Sequence, residues 1–333
     1  MKTIRYSIRR KFSVMKISKK KLDKSVQSIF FPFNLMKILS MTPTYYVKDD
    51  FIQTNIIRSY IISFIGTLFF ILLFMYRHML MDSMSLGGKT TFMDVVTNIE
   101  SIISIGAFIV NYIIGLFQMK NSIAFVLIFQ NVHRLLNDNS VSKSYIVWNW
   151  ICLIMDWFVY IFVFPTVAIL VRMNFLLIVI SNLVIIFDYN EIYAIRMIKL
   201  LETKIVLWTR RVLNAQDIEI GEKNYNQILF QAYVDILKCY DIHKRCIHFF
   251  AFYFLYLVFL YTLIYVQILI ESFRYGLTFE DVDMTVCGTI CVLSWLGKNF
   301  VWQSVMNWQC EQFYMAVQKA QDACAFVVMS DCS

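Results

Sequence analysis

The sequence has 333 residues, of which 59% are apolar, 17% aromatic and only 16% charged. Soluble domains carry about a quarter charged residues, so this composition excludes an ordinary soluble domain and a disordered chain, and it favours a membrane protein. The net charge of +8 could suggest nucleic acid as a partner, but 12 of the 31 Lys and Arg residues lie in residues 1–56, before the first apolar segment. No nucleic-acid partner is predicted.

The basic residues 1–55 are predicted to form a cytosolic N-terminal segment, because positive charge before a hydrophobic helix stays on the inner side of a membrane. A mitochondrial transit peptide would also be basic and poor in acids. No signal peptide is predicted, since the first apolar run is short and is interrupted by Pro32, Asn34 and Lys37.

The rest of the chain predicts an all-α polytopic membrane bundle over residues 56–305, since a span needs about 20 apolar residues. The stretch from Tyr145 to Phe187 is too long for one span, so a turn is predicted near Arg172, with Pro165 as the alternative break. The C-terminal segment 306–333 is too polar to cross again. The six predicted spans are about 56–76, 92–117, 145–170, 175–190, 246–270 and 284–305.

After Asp188 the pattern becomes amphipathic, with apolar residues every three or four positions and basic residues between them. This periodicity predicts two cytosolic helices, 190–213 and 222–245, that extend the fourth and fifth spans. The predicted inner segments carry 27 basic residues and the predicted outer loops carry 4, which indicates that both termini are cytoplasmic.

Several polar residues in the spans could face a ligand. In the second span Asp94, Thr97, Ser101, Ser104, Asn111 and Gly115 fall on one helical stripe, which should face protein because polar groups in hydrocarbon are costly. The stripe could line a cavity or simply pack helices through small residues. Tyr261 and Tyr265 share a face of the fifth span and could stack on a ligand, or belong to an ordinary aromatic core. The candidate ligand-binding residues are Asn98, Glu100, Ser104, Asp156, Tyr261, Tyr265 and Thr289.

Charged and metal-ligating residues give no sign of catalysis. The sequence has no HExxH, P-loop, GxSxG or CxxC motif, so an enzyme is not predicted, and neither is a cofactor or metal site. Asp156 lies near the middle of the third span, where it could be functional or a hydrogen-bonded structural acid. Lys298 in the sixth span is expected to extend its amine toward the inner interface.

Three segments form a recognisable combination: Phe33–Leu39 with Thr42-Pro43, Phe187-Asp188 leading into a long helix, and the Cys310–Tyr314 motif with Gln318 and Cys324. In these segments the chain resembles the insect gustatory receptor family, part of the insect seven-transmembrane chemoreceptor superfamily. The resemblance covers nearly the whole chain and implies a plasma-membrane, ligand-gated cation channel that is opened by a small-molecule tastant. It also implies a homo- or hetero-tetramer in the lipid bilayer.

The resemblance implies that the cytosolic helices form an anchor around the four-fold axis. The family's most specific signature, Thr-Tyr followed by apolar residues and Gln-Phe in a seventh, pore-lining span, has no counterpart before Ser333. The expectation is therefore a chain truncated before the seventh span, with doubtful conduction by this chain alone. The candidate anchor residues are Ile195, Ile198, Leu201, Trp208, Leu229, Tyr233 and Ile236.

Two other membrane proteins remain as alternatives. A G-protein-coupled receptor is disfavoured because the basic block places the N-terminus inside and no Asp-Arg-Tyr follows the third span. A transporter is disfavoured because the sequence has no visible repeat and only 3 prolines to interrupt its helices.

Overall fold

The computed structural model describes residues 21–43, 45–53, 56–84, 92–136, 139–163, 165–166, 175–215, 223–274 and 282–330. These residues are almost entirely helical. The predicted turn near Arg172 lies outside them.

The N-terminal part contains helix α1 (Lys24–Leu39) and a short hairpin of strands β1 (Tyr46–Lys48) and β2 (Phe51–Gln53). The strands are antiparallel, with Val47 opposite Ile52. The two turn residues, Asp49 and Asp50, have φ angles of 52° and 64°. A two-residue hairpin turn with positive φ at both positions suits the right-handed twist of its strands. The sequence analysis did not predict this hairpin.

Helices α2 (Ile56–Met84), α3 (Phe92–Leu135) and α4 (Asn139–Phe158) follow, and α4 ends in one π-helical turn, Val159–Val163. Helix α3 has 44 residues. At 1.5 Å per residue its length is about 66 Å, roughly twice the hydrocarbon thickness of a bilayer. The second predicted span therefore continues well past residue 117 without a break.

The remaining helices are α5 (Phe175–Asn182), α6 (Ile185–Ala215), α7 (Lys223–Arg274) and α8 (Val282–Ser330). A turn at Leu183-Val184 interrupts the fourth predicted span. Helix α7 unites the predicted cytosolic helix 222–245 with the fifth span, and α8 unites the sixth span with most of the C-terminal segment. With 52 residues, α7 is about 78 Å long.

The structure is an all-α polytopic membrane bundle. Among the described residues, five helical segments are long and apolar enough to cross a bilayer: Ile57–Leu80, Asn98–Leu135, Lys143–Phe162, Phe175–Asn214 and Asn226–Gln267. Large apolar side chains on their outer faces are exposed, among them Ile57, Leu72, Phe117 and Phe252. Such a surface suits lipid rather than water. The sixth span, 284–305, stays a prediction.

The described residues of the bundle form two apolar cores, one near each end. At the α1 end, α1 packs with α3, α4 and α6 around residues such as Phe30, Phe129 and Leu201. At the opposite end, here called the Arg77 end, a smaller core forms around Phe74, Phe108 and other side chains of α2, α3, α6 and α7. Helix α3 packs along α7, and α6 packs along α8.

The loop after α1 attaches to the bundle through two glycines. A Cβ atom on Gly66 of α2 would lie 2.4 Å from the Cβ of Met41, and one on Gly115 of α3 would lie 2.8 Å from Cδ of Pro43. Neither position has room for a larger residue unless the loop moves. The Thr42-Pro43 segment therefore fixes α1 against α2 and α3.

The structure places the candidate anchor residues inside the single chain. Ile195, Ile198, Leu201, Trp208, Leu229 and Ile236 are all buried within the single chain, and Tyr233 is partly buried against the same α1-end core. Trp208 also donates its indole hydrogen to the Leu229 carbonyl oxygen at 2.7 Å. The periodicity correctly marked an apolar face, but that face is covered by helices of the same chain rather than left open for another subunit.

Replacing Leu201 by Ala should lower the free energy of unfolding by about 2–5 kcal/mol, because it opens a cavity in this core. Leu213 lies on the same helix and is 41% exposed, so Leu213→Ala is the matched control. Denaturant unfolding of the purified protein measures both variants. An L201A variant of unchanged stability that only shifts the oligomeric state would restore the anchor role.

Candidate functional site

A charged pair lies at the Arg77 end, where α2 meets α3. Arg77 Nη2 is 3.1 Å from Glu100 Oε2, and only 5% of Arg77 is exposed. Its guanidinium carbon also lies 5.6 Å from the centre of the Phe74 ring. The Nε and Nη1 atoms are buried and have no hydrogen-bond partner among the described residues. Arg77 thus holds unused donors inside the bundle.

An aromatic cluster from α7 and α8 also occupies the Arg77 end. The Tyr261 and Tyr265 rings stack with centres 6.0 Å apart, and the Trp295 ring meets them edge-on at 5.4 and 5.3 Å. The hydroxyls of Ser104 and Tyr261 are 2.9 Å apart, and both residues are buried. The hydrogen bond joins α3 to α7.

The Arg77-end site consists of this pair and this cluster together: Arg77, Glu100, Ser104, Tyr261, Tyr265 and Trp295. The structure therefore assembles four of the predicted ligand residues, Glu100, Ser104, Tyr261 and Tyr265. Arg77 and Trp295 were not among the candidates. An arginine at the end of an apolar span and a tryptophan one turn from Lys298 were the signals that could have identified them.

The polar stripe of α3 faces protein where the structure describes it. Ser101 and Ser104 are buried, Asn111 accepts a hydrogen bond from Asn190 at 3.0 Å, and Gly115 contacts Pro43. The side chains of Asp94 and Thr97 lie outside the described part. The stripe thus serves the Arg77-end site in its first half and helix packing in its second half.

Two other candidate ligand residues, Asn98 and Thr289, are not part of the Arg77-end site as defined above. Asn98 is partly buried near the start of α3, and its Oδ1 has no hydrogen-bond partner among the described residues. Thr289 is partly buried on α8, between one and two turns before Trp295.

Asp156 belongs to a different cluster, in the middle of the bundle. There Lys298 of α8 pairs with Asp188 of α6 and donates a hydrogen bond to the Tyr160 hydroxyl at 2.8 Å. Tyr160 in turn donates to Asp188 Oδ2 at 2.7 Å. Asp156 and Glu191 are both buried and close enough to interact electrostatically with Asp188 and Lys298.

The expectation that Lys298 extends toward the interface is wrong, since only 8% of its side chain is exposed. Its amine lies 4.7 Å from the centre of the Tyr160 ring and is bound to Asp188. A buried carboxylate is a stronger attraction for the amine than the distant interface, because leaving either charge unpaired in the bundle would be costly.

A cavity with an empty volume of about 670 Å³, including its open mouth, lies at the α1 end. Residues from α1, α3, α6 and α7 line it, among them Lys37, Gln118, Tyr193 and His243. None of the predicted ligand residues lines this cavity. The Arg77-end site differs from this cavity, because its polar and aromatic side chains contact one another directly.

No protein-family model and no curated protein matches the sequence.

Proposed function

We propose that the chain is a chemoreceptor subunit resembling the insect gustatory receptors, and that it binds a small-molecule tastant at the Arg77-end site. The observation that carries this proposal is a buried arginine, with two nitrogen atoms that bond to none of the described residues, beside stacked aromatic rings. Ligand sites combine mostly apolar walls with a few placed polar groups, and this site has that composition.

The chemistry of the site suits a small polar molecule with an apolar face. The Tyr261, Tyr265 and Trp295 rings offer flat surfaces, while Arg77 and Glu100 offer a donor and an acceptor in a region of low polarity. A hydroxyl-bearing ligand could replace the Ser104–Tyr261 hydrogen bond with bonds of its own. Because an unpaired hydroxyl in an apolar surrounding is costly, such a ligand would have to pair both hydroxyls again.

The site is also placed to influence the rest of the bundle. It joins α2, α3, α7 and α8, and α7 and α8 run on without interruption toward the α1 end. A ligand changes an equilibrium only if it binds one arrangement more tightly than the other. A tastant that separates Tyr261 from Ser104 would prefer an arrangement in which α7 has moved relative to α3.

The proposal includes a plasma-membrane location with both termini in the cytoplasm, which the excess of basic residues on the predicted inner side supports. It also includes α8 as a sixth span, because α8 exposes Ile290, Leu293, Phe300 and Val301 over the predicted segment.

Assembly into a tetrameric, ligand-gated cation channel follows from the family resemblance. Since the candidate anchor residues are covered by helices of the same chain, exposed aromatic residues such as Phe230 and Trp308 are better candidates for subunit contact.

Ligand binding is tested on the purified full chain in nanodiscs, with sucrose, fructose, caffeine and quinine as probes and thermal stabilisation as the measurement. At least one probe should stabilise the protein saturably. Tyr265→Ala should weaken that binding about tenfold, because stacking on one ring contributes about 1 kcal/mol or more. Tyr256→Ala is the matched control, since Tyr256 lies on the same helix and is 53% exposed. Equal affinities for both variants, or no response to any probe, would refute the site.

Orientation is tested separately by placing an epitope tag before Met1 and staining intact cells. The proposal expects antibody binding only after the cells are permeabilised, with an extracellular tag on a known surface protein as the positive control. Staining of intact cells would contradict the cytoplasmic N-terminus and favour a receptor of opposite topology.

A further inference from the structure

The cavity at the α1 end has an unusual balance of charge. Among its described lining residues there is one formal cation, Lys37, and no Asp or Glu. Its polar lining consists otherwise of hydroxyl, amide, imidazole and thiol side chains, including Thr42, Asn121 and Ser122. A cavity with a cation and no carboxylate offers favourable electrostatics to an anion.

Lys37 has no carboxylate within ion-pair distance in the described part of the chain. Its amine instead lies 4.3 Å from the centre of the Tyr193 ring. Burial lowers the pKa of Lys37 to about 8. An anion held beside the amine would favour the charged form of Lys37 and offset the cost of burying that charge.

Neighbouring amides leave donors available in the cavity. Asn111 uses its oxygen to accept the hydrogen bond from Asn190, which leaves its NH₂ group as a donor. Asn121 and Ser122 add an amide and a hydroxyl to the same wall. Several donors around one ammonium group match the oxygens of a phosphate, which accepts many hydrogen bonds.

We propose that this cavity binds a phosphate group, carried either by the headgroup of an anionic phospholipid or by a free phosphate ion. The surface near the cavity agrees with a lipid source. Lys120, Lys244 and Arg245 are exposed on the neighbouring turns of α3 and α7, with Asp241 as an exposed acid on α7. Phe117 and Phe249 are 77% and 72% exposed on the same two helices, where acyl chains could lie.

The test uses the full chain in detergent micelles, titrated with dioleoylphosphatidylglycerol, dioleoylphosphatidylcholine or inorganic phosphate. Bound lipid is counted by native mass spectrometry, and affinity is measured by thermal stabilisation. Phosphatidylglycerol should bind saturably, and Lys37→Gln should weaken it about tenfold through the loss of one charge-assisted hydrogen bond. Lys319→Gln removes an exposed lysine of α8 that neither lines the cavity nor belongs to the basic surface beside it, and it should change the affinity little.

Asn121→Asp provides a second variant that leaves Lys37 in place. Asn121 is exposed at the cavity wall, so the substitution should not disturb folding, yet it introduces a carboxylate that repels an anion. Stabilisation by phosphatidylglycerol alone identifies a lipid site, and stabilisation by inorganic phosphate with the same dependence on Lys37 identifies a soluble anion site. If neither K37Q nor N121D weakens the binding of either probe, the proposal is wrong.

Discussion

The pairing of Lys298 with Asp188 inside the bundle is the interaction on which the rest of the structure depends. Each charge alone would be costly in an apolar surrounding, and together with the Tyr160 hydroxyl they form a closed hydrogen-bonded group. The pair joins α8 to α6, and Tyr160 adds the end of α4. The pair therefore fixes the position of α8 against α6. Trp295 lies one turn before Lys298 on α8, so the same pair also holds Trp295 beside Tyr261 and Tyr265.

The two ends of the bundle differ in composition and packing. The Arg77 end contains polar and aromatic groups, and the Nε and Nη1 atoms of Arg77 have no hydrogen-bond partner in the part of the chain that the structure describes. The α1 end contains a larger apolar core, and the loop around Met41 and Pro43 is seated on two glycines there. Long unbroken helices connect the ends, so a change in contacts at one end can alter the packing at the other.

Much of the fold could be predicted from the sequence, because apolar length identifies spans and periodicity identifies buried faces. The sequence did not reveal that α3 and α8 continue without a break past residues 117 and 305, since helical propensity does not change at a membrane boundary. It also could not reveal which element covers a face, so residues such as Leu201 were assigned to subunit contact although α-helices of the same chain bury them. Glu100, Ser104 and Tyr261 were identified because polar groups in apolar helices are conspicuous. The pairing of Arg77 with Glu100 and of Lys298 with Asp188 required the three-dimensional arrangement.

The most direct test of this account is a double-mutant cycle on the buried pair, with Lys298→Met, Asp188→Asn and the combined variant measured by unfolding of the purified protein. Each single substitution removes the direct ion-pair partner of a buried charge and should cost about 3 kcal/mol, although Asp156 and Glu191 lie near Lys298 as well. The combined variant should cost less than the sum of the two, with a coupling energy of about 1–3 kcal/mol. Additive effects of the two substitutions would contradict a direct contact between Lys298 and Asp188, and with it the arrangement of α8 against α6.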